Sequence, residues 1–256
     1  MKKFCRRPIL LIVGVLMVCF ASCNNHPTKQ TKTSTIDTIK VWVGDTIRCY
    51  SECTYVMLSS GWEDGVISKI NRHNYEQLFK EHALPDTLDI RAALEAERLN
   101  DFEYILDREP ENIIGAPLWF KYEQGATVVH DRILCIKTTR LHYHGGAEFV
   151  GETNCNYDLT SGEYIDFAYL EEGEWLPKLK RLLYKRLPED DCYSYIIWNS
   201  PEQICFDTDL VEITENGICF YFKPYAVASF AAGFIGVEFS NEDLDILEIP
   251  TPWLSK

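Results

Sequence analysis

The sequence predicts an α+β fold: a mixed, mainly antiparallel sheet with packed helices, divided into two subregions. Short β-rich runs are spread along the chain, several of them with apolar residues at alternate positions. Amphipathic stretches with helical spacing fall between them. The two kinds of element are mixed without strict βαβ alternation, which makes α+β the natural class. The 256 residues are 46% hydrophobic and 13% aromatic, enough for one large domain or two small ones with a real core. No internal repeat is present.

The chain opens with Lys2, Lys3, Arg6 and Arg7, followed by an almost wholly apolar run from Pro8 to Phe20. That run is too short to span a bilayer comfortably as a helix and has the form of an export signal. It ends in Phe20-Ala21-Ser22-Cys23, like the cleavage box of bacterial lipoproteins, in which the cysteine sulfur is lipidated. An ordinary cleavable signal with an incidental cysteine is the alternative. Residues 1–22 are thus expected to be a lipoprotein signal peptide, Cys23 the lipid-attachment residue, and residues 23–38 a flexible polar tether. The expected location is the cell envelope, membrane-anchored through the N-terminal lipid and facing the periplasm or the surface. After the signal there is no run of about 20 apolar residues that would span a membrane.

Residues 39–112 form the expected smaller N-terminal α/β region. Ile39-Lys40-Val41-Trp42-Val43 alternates as a strand, and Tyr55-Val56-Met57-Leu58 is a second β run. Asn74 opens a helical stretch with Tyr75, Leu78 and Phe79 on one side. A second helix is predicted from Asp86 to Leu106.

Residues 113–256 form the expected C-terminal domain. Leu118 to Tyr122 and Thr127 to Tyr143 are β text. Asn156 to Ile165 is predicted as strand, turn at Ser161-Gly162 and strand. Trp175 to Leu187 is an amphipathic helix with Leu179, Leu183 and Leu187 in its buried stripe. Lys178, Lys180, Arg181, Lys185 and Arg186 lie on its solvated face, where nearby carboxylates are expected to pair with them. Val211–Thr214 and Ile218–Phe222 flank Glu215-Asn216-Gly217, a strong hairpin signal whose Asn-Gly pair is expected at positive φ. Phe234 to Phe239 is a further strand. Ser240 and Asp243 form a capping box for a short final helix with Leu244 and Leu247 turned inward.

The formal net charge is −14, and loss of the signal, which carries no carboxylate, makes it more negative. Such a surface repels nucleic acid phosphates, so no nucleic-acid partner is expected, and it favours cationic ligands. The cysteines after Cys23 are Cys49, Cys53, Cys135, Cys155, Cys192, Cys205 and Cys219. Export permits disulfides, but their number is odd. Cys49 and Cys53 would lie roughly 13 Å apart on one straight strand, so a bond between them requires a turn at Ser51-Glu52. Buried free thiols are the alternative.

Two stretches occur together: His144-Gly145-Gly146-Ala147 with Asn156-Tyr157-Asp158-Leu159 after it, and Gly217 to Ala228 continuing through Gly233 to Leu244. They resemble the extracytoplasmic domain family of the RsiV and PdaC type. The resemblance covers roughly residues 115–250 and picks out Gly145, Gly146, Ala147, Tyr221, Pro224, Tyr225 and Gly233. It implies the fold of that family and a role in recognition, since the RsiV domain binds lysozyme, a cationic protein. Glu148 stands where family members often carry His. The catalytic domain of PdaC has no counterpart here. Physically, Gly145 and Gly146 suit a bend, Pro224 ends a strand, and Tyr225 and Phe230 are expected to pack on the sheet.

One constellation offers chemistry. His142 and His144 share a strand face, and with Glu148 they would make a two-His, one-Glu metal set, with His130 and Asp131 as further candidates. Surface or half-buried histidines at a strand end are the competing reading. The sequence has no GxSxG, HExxH, phosphate loop or EF-hand loop. The expectation is a binding or sensing domain, with no cofactor, for a lysozyme-like protein or a peptidoglycan fragment. A metal-assisted hydrolase acting on envelope polymers is the alternative.

Overall fold

Val41 and Val43 are buried while Trp42 between them is exposed, and this alternation makes Thr35–Gly44 the first strand, β1. β2 (Cys49–Ser60) pairs with it antiparallel. The computed structural model describes residues 35–44, 49–82, 87–108, 117–143, 148–187, 200–226 and 233–254, without the side chains of residues 81 and 101–108. The expected signal, Cys23, residues 24–34 of the expected tether, His144-Gly145-Gly146-Ala147, Cys192 and Phe230 lie outside the described residues, whereas Thr35 to Thr38, expected in the tether, are paired strand in β1.

α1 (Asp64–Phe79) and α2 (Ile90–Arg108) follow β2. β3 (Leu118–Val129), β4 (Ile133–Tyr143) and β5 (Glu148–Asp158) complete a five-stranded sheet in the order β1-β2-β3-β4-β5. Among the described residues only β2 and β3 run parallel, so the chain must cross over between them, and α1 and α2 make that crossing. The sheet therefore spans both expected subregions. The helices cover one face: Tyr75, Leu78, Phe79, Ala93 and Leu94 bury Val41, Val43, Cys53 and Tyr55.

α3 (Leu176–Arg186) and a second sheet follow, with β6 (Val211–Thr214), β7 (Gly217–Phe222) and β8 (Ile235–Ser240), capped by α4 (Asn241–Ile246). This sheet covers part of the opposite face of the first one, over Val129, Ile133 and Cys135. Asn156 joins the two sheets as a strand would: its Nδ2 donates to Val211 O at 2.8 Å and its Oδ1 accepts from Ile213 N at 3.0 Å. The result is α+β, mixed and mainly antiparallel.

Several elements differ from expectation. α1 begins ten residues before Asn74, at Asp64. Its buried stripe runs Val66, Ile70, Asn71, Asn74 and Tyr75, and the two asparagines interrupt the apolar signal. Both bond to β2: Asn71 to Leu58 through both its amide atoms, and Asn74 Nδ2 to Val56 O. α2 starts at Ile90, where the Asp89 carboxylate accepts from Ala92 N and caps the first turn. The β text from Thr127 to Tyr143 is broken by a tight turn, with His130 and Asp131 both at φ 53°. The strand pair expected around Ser161-Gly162 reduces to a single bridge between Tyr157 and Tyr164.

Among the described residues Asn216 is not at positive φ. Gly217 is, at 154°, and a Cβ there would stand 2.0 Å from Phe239 O on β8, so the close strand approach requires glycine. Tyr225 does not pack on the sheet: it sits at φ 68° in the turn after β7 and is 66% exposed. Cys49 and Cys53 both lie on the unbroken strand β2, and the described cysteines are free thiols, all buried except Cys205. The capping box is formed, with Ser240 Oγ and Asp243 bonding reciprocally, and Leu244 and Leu247 are buried. α3 pairs as expected at two points, Arg186 with Asp243 at 2.7 Å and Lys178 with Glu248 at 3.9 Å.

Candidate functional site

Among the described residues, the three-stranded sheet packs on the Val129, Ile133 and Cys135 end of the face away from the helices, and its core cluster does not reach the other end of that face. The register decides which side chains stand there, because directly paired residues point to the same face. One row runs Tyr50, Trp119, Tyr143 and Glu148 across β2, β3, β4 and β5. The next runs Trp42, Glu52, Lys121, Leu141 and Val150 across all five strands. Their neighbours Val43, Ser51, Cys53 and Leu118 turn the other way and are buried.

Four aromatic rings therefore share this end, one from each of four adjacent strands. Trp42 stacks on Tyr50 with centroids 6.2 Å apart at 26°, and Trp119 on Tyr143 at 6.2 Å and 21°. Lys121 Nζ lies 5.1 Å from the Trp119 ring centroid and 3.9 Å from Glu52. Arg91 of α2 donates to Trp42 O at 3.0 Å and ties the edge strand down. Trp42 is 42% exposed. Exposed tryptophan among charged neighbours on a sheet face is an amphipathic platform suited to ligand stacking.

His142 is on the opposite face. It pairs with Phe149, and the two rings stack at 5.0 Å and 14°; Phe120 lies 5.4 Å away on the other side. Glu148 pairs with Tyr143, so the register puts it across the sheet from His142. His130 and Asp131 sit in the β3–β4 turn at the other end of β4, with His130 3.5 Å from Glu215. Among the described residues no group of three His, Cys, Asp or Glu side chains is placed to hold a metal ion. Of the resemblance residues, Tyr221 is half-buried on β7 with Lys137 Nζ 4.6 Å from its ring, Pro224 is in the turn that ends β7, and Gly233 precedes β8 at φ 67°.

A polar cavity lies between α1 and the sheet, lined by Asn74, Gln124, Thr138, Arg140 and Asn154. Its volume of about 20 Å³ holds about one water molecule and no larger ligand. The buried thiols are chemically quiet: burial pushes Cys53 and Cys135 up to about 12, and Cys155 and Cys219 up to about 11.

The sequence reading named none of the four platform aromatics as site residues. The signal was present in the alternation: Val41 and Val43 must face the core, so Trp42 faces out.

No family model and no curated protein matches the chain. Solved structures do. A member of the DUF3298 family from Bacteroides fragilis superposes with a TM-score of 0.61 at 16% identity, over 85% of this chain and 94% of that one. The chain shares this fold. A DUF3298 protein from Pseudomonas aeruginosa gives a TM-score of 0.54 at 13% identity, over 83% of this chain and 93% of that one. The DUF3298 likeness is one of architecture, and it spans both sheets. No helix among the described residues is long and apolar enough to cross a membrane.

Proposed function

We propose that this chain is a ligand-recognition domain of the bacterial cell envelope, held at a membrane through lipid on Cys23. It binds a lysozyme-like cationic protein or a peptidoglycan fragment. The observation that carries this reading is the pair of ring stacks, Trp42–Tyr50 and Trp119–Tyr143, on the sheet face away from α1 and α2. Trp42 is exposed and the other three rings are half-buried, so the row offers aromatic contact area to a ligand. The export signal, the net charge of −14 and the RsiV-type motifs support the same reading. Metal-assisted hydrolysis draws no support from a register that turns His142 away from Glu148.

The test is calorimetry on the purified full chain, titrated with lysozyme and, separately, with soluble peptidoglycan fragments at physiological salt. Saturable heat with either ligand is the expected result. Heat that disappears between low and physiological salt, with both ligands, would reduce the interaction to unspecific charge attraction and sink the proposal.

A further inference from the structure

We infer that the polar cavity between α1 and the five-stranded sheet binds one ordered water molecule, which joins β5 to the amide network that holds α1. The cavity of about 20 Å³ exceeds the roughly 10–15 Å³ that one water needs. Its polar walls come from Asn74 of α1, Gln124 of β3, Thr138 and Arg140 of β4, and Thr153 of β5. The amides among them are already engaged with one another. Gln124 Nε2 donates to Asn74 Oδ1 at 2.9 Å and to Thr138 Oγ1 at 3.0 Å. Gln124 Oε1 accepts from Val56 N at 2.9 Å and from Asn74 Nδ2 at 3.1 Å. Gln124 thus has both hydrogens and both lone pairs in use.

The groups at the cavity wall are not engaged in this way. Thr138 is 4% exposed, and accepting from Gln124 leaves its hydroxyl hydrogen to be given elsewhere. Arg140 stands two residues on, on the same face of β4. Its Nη2 donates to Gln77 O at 3.1 Å, and its Nε is buried without a protein partner. Thr153 pairs directly with Thr138, so it shares that face, and its hydroxyl oxygen is an acceptor. Two donors and an acceptor supply the roughly three hydrogen bonds that a buried water makes. A bare buried N–H costs free energy that a bridging water recovers at small entropic cost. A halide is the competing occupant, because Lys80 and Arg140 outnumber Asp209 in the lining. The size of the cavity favours water, the smaller of the two.

The experiment counts long-lived waters in the full chain by water magnetic relaxation dispersion, with a crystal structure of the same chain as the second measurement. Thr153→Val keeps the shape of the side chain and removes its hydroxyl. The folded variant is expected to lose one long-lived water relative to the parent. The crystal structure is expected to show one ordered water within hydrogen-bond distance of Thr138 Oγ1, Arg140 Nε and Thr153 Oγ1. If Thr153→Val melts early, the crystal structure of the parent decides. An equal water count in the folded variant, or a parent cavity without that water, overturns the inference. Bromide at the same position, identified by its anomalous signal in crystals grown with bromide, also overturns it, because the site would then take an anion.

Discussion

Trp119 stacks on Tyr143 across β3 and β4, with ring centroids 6.2 Å apart, on the sheet face away from α1 and α2. Tyr50 stands beside Trp119 in register. The same pairing that aligns these rings sets His142 against Phe149 on the other face. If the rings form one surface, Trp42→Ala and Trp119→Ala should each weaken ligand binding while shifting the melting temperature by only a few degrees, since neither side chain is fully buried. Parallel melting and binding curves check this.

Asn71 is one of two buried amides, with Asn74, that tie α1 to the sheet. Its Oδ1 accepts from Leu58 N and its Nδ2 donates to Leu58 O, both at 2.8 Å, and the residue is 5% exposed. Asn71→Ala removes both bonds in a buried site, with an expected cost of about 2–3 kcal/mol. Urea unfolding should show a lower midpoint at unchanged slope.

Asp158 closes the β3–β4 turn onto β5. Burial alone would raise its carboxyl, but hydrogen bonds from Arg132, 2.6 Å away, and from Thr160 outweigh it and bring the group down to about 2. A carboxyl held below its unfolded value of about 3.9 stabilises the fold above that pH. The stabilisation is lost as pH falls from about 4 through about 2. Asp158→Asn should therefore lower the melting temperature at pH 6 and flatten its fall between pH 4 and pH 2. An unchanged acid limb in that variant would show that other carboxyls dominate.

The free thiols divide by burial. Cys53, Cys135, Cys155 and Cys219 are buried and their thiols are held neutral, whereas Cys205 is exposed. Iodoacetamide on the native chain at pH 8 should modify Cys205 and spare those four until denaturant is added. Peptide mapping by mass spectrometry gives the answer directly.

Much of the architecture was legible because the apolar pattern and the local chemistry agreed. α3, β6, β7 and the Ser240–Asp243 capping box stand within a residue or two of where the sequence puts them. The early start of α1 was hidden because Asn71 and Asn74 occupy buried positions that the pattern reserves for apolar residues. Their partners, Leu58 and Val56, are remote in sequence, so only the folded chain shows why an amide belongs there. The β3–β4 turn was hidden because His130 and Asp131 take positive φ without glycine or asparagine. The platform depended on register: Trp42, Tyr50, Trp119 and Tyr143 become one surface only when four strands align, and one of those alignments is the parallel β2–β3 pairing across a helical crossover.

The most direct measurement is to repeat the calorimetric titration with lysozyme and with soluble peptidoglycan fragments on a variant carrying both Trp42→Ala and Trp119→Ala. Its fold would be verified beforehand by circular dichroism and melting. The account predicts that the parent chain binds at physiological salt and that the folded double variant loses that binding. A folded double variant that binds as tightly as the parent would contradict it and move the recognition surface off this face of the sheet.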